Sequence, residues 1–137
     1  VTTVFFDRTC GKSLPYALKL LGVDAEAHLD HFAHNTHDDV WLTEVGRRGW
    51  IVFTYDKRIR FNQSERQALV SYQVGCFVLT SGNRTKWGQM RIVAKAWDRI
   101  EEVIANTARP FIYSVHADSS VEPLYPPPAV SPRSRSV

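Results

Sequence analysis

Short apolar runs recur along this chain, and they are continuous where they would alternate if one face met water. Trp50 to Tyr55 is almost wholly apolar or β-branched, and Cys76 to Thr80 repeats the pattern. A strand of this kind is covered on both faces. Val4 to Phe6 and Phe111 to Val115 are shorter examples, and residues 25 to 29 read as one more strand.

Helical patterns separate these runs. Ser13 caps a helix through Leu14, Leu18 and Leu21, with Pro15 tolerated in its first turn and Gly22 stopping it. Thr36 is the expected N-cap of a helix carrying Val40, Trp41, Leu42 and Val45, which ends near Gly46 to Gly49. Ser64 and Gln67 have capping-box spacing and start a third helix through Leu69 and Val70. The longest pattern spans about Thr85 to Asn106, with Trp87, Met90, Ala94, Trp97 and Ile104 as a core-packing stripe. Parallel neighbours need long crossovers, so strands alternating with helices predict a parallel sheet with helices on both faces.

One domain over residues 1–118 accounts for these elements. Residues 119–137 contain Pro-Pro-Pro and Ser-Pro-Arg-Ser-Arg-Ser, with too little apolar surface to offset the cost of ordering. This tail is expected to be disordered except where Leu124 and Tyr125 touch the body. No internal repeat is visible.

Composition removes several classes of function. No apolar run in the 137 residues approaches the roughly 18 to 20 needed to span a bilayer, and no secretory signal pattern opens the chain. A cytoplasmic protein is the default expectation. Cys10 and Cys76 form no C-x-x-C pair, which excludes a zinc ribbon or redox motif. Cys10, close after Asp7, has a nucleophilic reading, but a structural thiol is the simpler one. A Walker loop and Gly-x-Ser-x-Gly are both absent. A phosphoacceptor receiver domain would match acids after the first and third strands, with Thr80 or Ser81 after the fourth. It would also want a lysine after the fifth, and Phe111 to His116 has none. Net charge is +3, which permits a polyanionic partner without demanding one.

The acidic residues carry the chemistry. Asp7 follows Val4–Phe6, Asp56 follows Ile51–Tyr55, and Asp38-Asp39 opens the middle helix. In an open parallel sheet, ligands sit outside the carboxyl ends of the strands. Carboxylates crowded there repel unless a cation lies between them, and Mg²⁺ or Mn²⁺ prefers such oxygen donors. Each acid also has a plainer reading. Asp7 and Asp56 suit turns, while Asp38 and Asp39 complement a helix dipole, Asp39 closing a capping box with Thr36. The set together favours a metal site.

Basic residues accompany the acids: Arg8 and Lys12 after Asp7, and Lys57, Arg58 and Arg60 after Asp56. They suit a phosphodiester ligand, and a solvated basic loop is the equal alternative. Arg84 and Lys86 extend the same rim. His28, His31, His34 and His37 recur at a spacing of three, with Asp30 among them. That spacing in a strand and loop does not bring four imidazoles to one surface, which weighs against a zinc site. His37, beside Asp38, is the one best placed to assist the acids.

Phe5-Phe6-Asp7, then Asp38-Asp39-x-Trp41-Leu42, then Gly49 through Asp56-Lys57-Arg58-Ile59-Arg60 resembles the compact PIN-like ribonuclease domains, VapC-type toxins among them. The resemblance covers residues 3 to about 118, and its most specific piece is the Thr-x-Asp at Thr54-Tyr55-Asp56. It implies a three-layer α/β/α sandwich around a mostly parallel sheet, and metal-dependent RNA cleavage by activated water. Asp7, Asp38 and Asp56 match the family's acids, and Asp39 is a second candidate at the middle position. Larger members carry a fourth acid, for which Glu65 is the nearest candidate, although its place just inside a helix also suits capping.

The resulting expectation is an endoribonuclease holding Mg²⁺ or Mn²⁺ through Asp7, Asp38, Asp39 and Asp56, with Arg8, Lys12, Lys57, Arg58 and Arg60 on RNA. It would be the toxin of a toxin–antitoxin pair, and a homodimer. The alternative is a non-catalytic PIN-like module binding nucleic acid or protein. A third reading makes an antitoxin-like partner the main ligand, inserting a cation among the acids.

Overall fold

Burial on both faces explains why the strands are apolar at consecutive positions. The computed structural model describes residues 2–127. Strand β1 (Val4–Phe6) leads through a 3-10 turn at Arg8–Cys10 into α1 (Ser13–Leu20) and β2 (Ala25–Ala27). A loop with a second 3-10 turn, His28–Asp30, precedes α2 (Asp38–Arg48) and β3 (Ile51–Thr54). Two short helices, α3 (Arg58–Phe61) and α4 (Gln63–Ser71), lead to β4 (Gly75–Leu79), and the long α5 (Lys86–Asn106) leads to β5 (Phe111–Val115) and β6 (Val121–Tyr125).

The strands form one sheet in the order β2-β1-β3-β4-β5-β6. All neighbours are parallel except β5 and β6. Successive side chains of a strand point to opposite faces, so the central strands feed two cores. Val4, Phe6, Ile51, Phe53, Phe77 and Phe111 join Leu14 and Leu18 of α1 and Val93, Ile100 and Val103 of α5. Phe5, Val52, Cys76, Val78 and Ile112 join Trp41, Leu42 and Val45 of α2 and Leu69 of α4. The result is an α/β/α sandwich, as the family resemblance implied.

Several boundaries differ from the sequence reading for local reasons. The N-cap of α2 is His37 instead of Thr36, and Asn62, instead of a Ser64–Gln67 box, caps α4 by accepting from Ser64 N at 2.9 Å. The buried stripe of α5 is Val93, Ala96, Ile100 and Val103. Of the expected stripe, Met90, Trp97 and Ile104 pack at the border of the first core, while Ala94 is exposed and Trp87 is 70% exposed. Apolarity alone does not say which face of an amphipathic helix is inward when Trp lies near its end.

The ordered body does not stop at residue 118. Val121–Tyr125 pairs antiparallel with β5, and Leu124 and Tyr125 pack on the second core. An open strand edge supplies the ladder partners that this proline-rich segment lacks by composition, and proline is tolerated on an edge strand. The rest of the expected disordered tail, residues 128–137, lies outside the described residues. Among the described residues no helix is long and apolar enough to cross a membrane.

Candidate active site

Strand order places the crevice. β1 lies between β2 and β3, and the crossovers leaving it on either side diverge at the carboxyl ends of β1 and β3. Asp7 directly follows β1, and Asp56 lies two residues past β3. Phe6 pairs with Phe53, and Asp7 N donates to Phe53 O at 3.0 Å, so the two acid-bearing ends leave the sheet together.

Asp7 is 7% exposed and closely held. Its Oδ2 accepts from Thr54 Oγ1 at 2.6 Å, and its Oδ1 accepts from Thr9 N at 3.0 Å and from the Thr9 hydroxyl. Each hydroxyl accepts a backbone amide in turn, Thr54 Oγ1 from Asp56 N at 3.0 Å and Thr9 Oγ1 from Tyr55 N at 2.9 Å. Both hydroxyl protons are therefore committed to Asp7. Thr54 thus ties the first acid to the backbone of the third, which gives the Thr-x-Asp spacing its physical content. Burial raises the Asp7 pKa above the ordinary 3.8, against the lowering effect of the Thr54 and Thr9 hydrogen bonds, and the charge on Asp56 adds to the rise. The Asp7 and Asp56 carboxylates feel one another.

The other acids face arginines. Arg58 grips Asp56 with Nη2–Oδ2 at 2.7 Å and Nε–Oδ1 at 3.1 Å, which lowers the Asp56 pKa. Its Nη1 also reaches Glu65 Oε1 at 3.6 Å. Arg8 Nη2 lies 2.9 Å from Asp38 Oδ1, and its Nη1 donates to the carbonyls of His34 and Thr36, pinning the loop before α2. Trp41 Nε1 donates to the same Asp38 oxygen at 3.1 Å.

Asp7, Asp38, Asp39, Asp56 and Glu65 all line one cleft of about 320 Å³, together with Arg8 and Arg58. Glu65 therefore stands with the acids, and Asn62 has the capping role the sequence offered it. The fold of the cleft walls depends on close packing of α2: a Cβ at Gly46 would run into the Tyr72 carbonyl, and Tyr72 is a wall residue.

The expected basic ring is divided. Lys57 and Arg60 line a separate hollow beside Leu79 and Gly82. Lys12 lines a neighbouring hollow and lies 3.4 Å from Asp30. Only Arg8 and Arg58, of the five cations read from the sequence, line the acid cleft. The histidines do not gather either. His28 is buried against Phe5, Phe32 and Trp41, while His31, His34 and His37 are exposed. Cys10 is buried with its thiol pushed well above its ordinary pKa by burial, which is the opposite of an activated nucleophile.

Carboxylate oxygens are the donor type that Mg²⁺ and Mn²⁺ take, and the cleft supplies them from four separate segments of chain. Among the described residues, however, no group of three or more His, Cys, Asp or Glu side chains is arranged to hold a metal ion. Each of these acids is held by partners of its own: Asp7 by Thr9 and Thr54, Asp38 by Arg8, and Asp56 and Glu65 by Arg58. The donors suit such an ion by type and share one cleft, and as they stand they do not converge on a single point.

The sequence reading missed the two threonine hydroxyls. Thr54 was legible as part of a motif, but its bond to Asp7 depends on the pairing of β1 with β3.

No curated protein and no solved structure matches the chain. A family model described as PIN like domain matches residues 2–81, a span that holds Asp7, Asp38, Asp56 and Glu65, and by that match the chain belongs to the PIN-like domain family.

Proposed function

We propose that the protein is a metal-dependent endoribonuclease. The convergence of Asp7, Asp38, Asp56 and Glu65 from four segments on one cleft is the observation that carries this reading. Family membership supports it, because PIN-like domains are commonly nucleases. Asp7, Asp38 and Asp56 are the proposed ligands of Mg²⁺ or Mn²⁺, with Asp39 and Glu65 as further candidates. A bound divalent ion would lower the pKa of a water molecule and stabilise the leaving oxygen of a phosphodiester. Thr9 and Thr54 orient Asp7. Asp56, with its lowered pKa, stays ionised at neutral pH. Arg8 and Arg58, once released from their acids, are placed to hold the phosphates that flank the scissile bond.

The test is incubation of purified protein with total RNA in Mn²⁺, in Mg²⁺ and with a chelator, beside Asp56→Asn. Cleavage is expected in both metals, and neither with chelator nor with Asp56→Asn. Undiminished cleavage by the variant would end the proposal.

A second reading, a non-catalytic binding module, draws on the arginine contacts: Arg58 and Arg8 neutralise Asp56, Glu65 and Asp38 with no ion present. It predicts RNA binding without cleavage under every metal condition. The finer proposal within the nuclease reading is a toxin whose antitoxin inserts a cation among the acids, where Arg58 already lies. A homodimer is part of that proposal, and light scattering of the purified chain measures it.

A further inference from the structure

Beyond the acid cleft, a second groove of about 610 Å³ lies between the turn after β1 and the start of α5. Arg8 and Thr9 line both hollows, so the two are neighbours. Lys12, Arg84, Lys86 and Trp87 line the groove further out, and no carboxylate does. Arg84 also borders a third, shallower hollow with Arg91 and Lys95, again without a carboxylate among its lining residues. Arg84 and Lys86 make no ion pair among the described residues.

Trp87 is the second distinctive element. It is 70% exposed on the first turn of α5, and no aromatic or cationic partner stacks on its ring among the described residues. Its flat face and the adjoining positive charge match a nucleobase and its phosphates.

We propose that this groove is a path for single-stranded RNA flanking the acid cleft, with one base stacked on Trp87 and the adjoining phosphates held by Arg84 and Lys86. The direction of the strand beyond Arg84 is toward Arg91 and Lys95. Duplex RNA does not satisfy the arrangement, because its bases are already stacked on one another and cannot lie on the indole. The inference deepens the nuclease reading by placing a base-stacking and phosphate-holding subsite at Trp87, Arg84 and Lys86, and it rests on that reading for its link to cleavage.

The experiment measures fluorescence anisotropy of a labelled oligouridylate of about 16 nucleotides, the upper site size for single-strand grooves, with the full chain and a chelator present. A duplex of equal length is the comparison. Trp87→Ala should weaken single-strand binding on the order of tenfold, and Trp87→Phe should restore most of it. Arg84→Ala with Lys86→Ala should lower the slope of log affinity against log salt by about 1.4, since each phosphate contact on a single strand contributes about 0.7. Binding of wild type equal to that of Trp87→Ala overturns the inference, as does a duplex bound as tightly as the single strand, or no binding at all. Loss of cleavage without loss of this binding would count against the nuclease reading alone. Normal cleavage with a Trp87→Ala affinity unchanged would count against the groove alone.

Discussion

The acid cleft and the basic groove meet at Arg8, yet they treat charge in opposite ways. In the cleft, three of the five acids are matched by a cation within the chain: Asp38 by Arg8, and Asp56 and Glu65 by Arg58. In the groove, Arg84 and Lys86 are left to solvent beside an exposed indole. Charge compensated internally holds a shape while a site is empty. Charge left uncompensated has no such structural use, so it is the part of the surface most readily explained by a ligand of opposite sign.

The sharpest way to break this contrast is to disturb the cleft without changing any charge. Thr54→Val keeps the shape of the side chain and removes one hydroxyl that serves both Asp7 and the Asp56 amide. RNA cleavage in Mn²⁺ should fall by about 10- to 100-fold, as for other residues that orient ligands from behind. Urea unfolding should show a loss of roughly 1–3 kcal/mol for the stranded partners. Wild-type cleavage by this variant would mean that the orientation of Asp7 does not matter.

A smaller effect is expected from removing the internal cation. Arg58→Ala frees Asp56 and Glu65 at once, so Mn²⁺ titrated calorimetrically should bind a few-fold more tightly than to wild type, about 1 kcal/mol or less. Unchanged or weaker binding would show that Arg58 does not compete for the acids. The same variant would leave Trp87-dependent RNA binding in place if the two regions are as separate as their charge pattern implies.

The smallest effect concerns protons. The Asp7 pKa is raised in the folded chain, so the native state holds that proton more tightly than the unfolded one. Stability from this group is therefore fully present below the ordinary value of 3.8 and is lost as pH rises through the folded pKa. Asp7→Asn has no such titration. Its stability relative to wild type, from urea unfolding at several pH values, should be most favourable at neutral pH and should decline as the medium is acidified toward 3.8. A constant difference across that range would contradict the burial of Asp7 as the dominant cause.

Much of the sheet was legible from local pattern. Phe111–Val115 was read residue for residue, and Thr85 was read as the start of the longest helix, because both depend on neighbours in sequence. Asp7 and Asp56 were legible as partners for a topological reason: parallel strands carry their ends to one edge. What escaped was long-range. The hydroxyls of Thr9 and Thr54 matter only once β1 lies beside β3, and Lys57 and Arg60 line another hollow, Lys57 as the N-cap of α3 and Arg60 within it. The segment Val121–Tyr125 was expected to order only where Leu124 and Tyr125 touch the body; the partner that orders all of it is the border of β5.

That last pairing also determines what neighbouring molecules can touch. With β6 hydrogen-bonded along β5, the far margin of the sheet is a short, proline-bearing rung, and the opposite margin is β2, only three residues long. A proline in one outer row and the brevity of the other both disfavour templated growth of one copy upon another, so the segment that composition marked as surplus puts a guard on one border of the sheet.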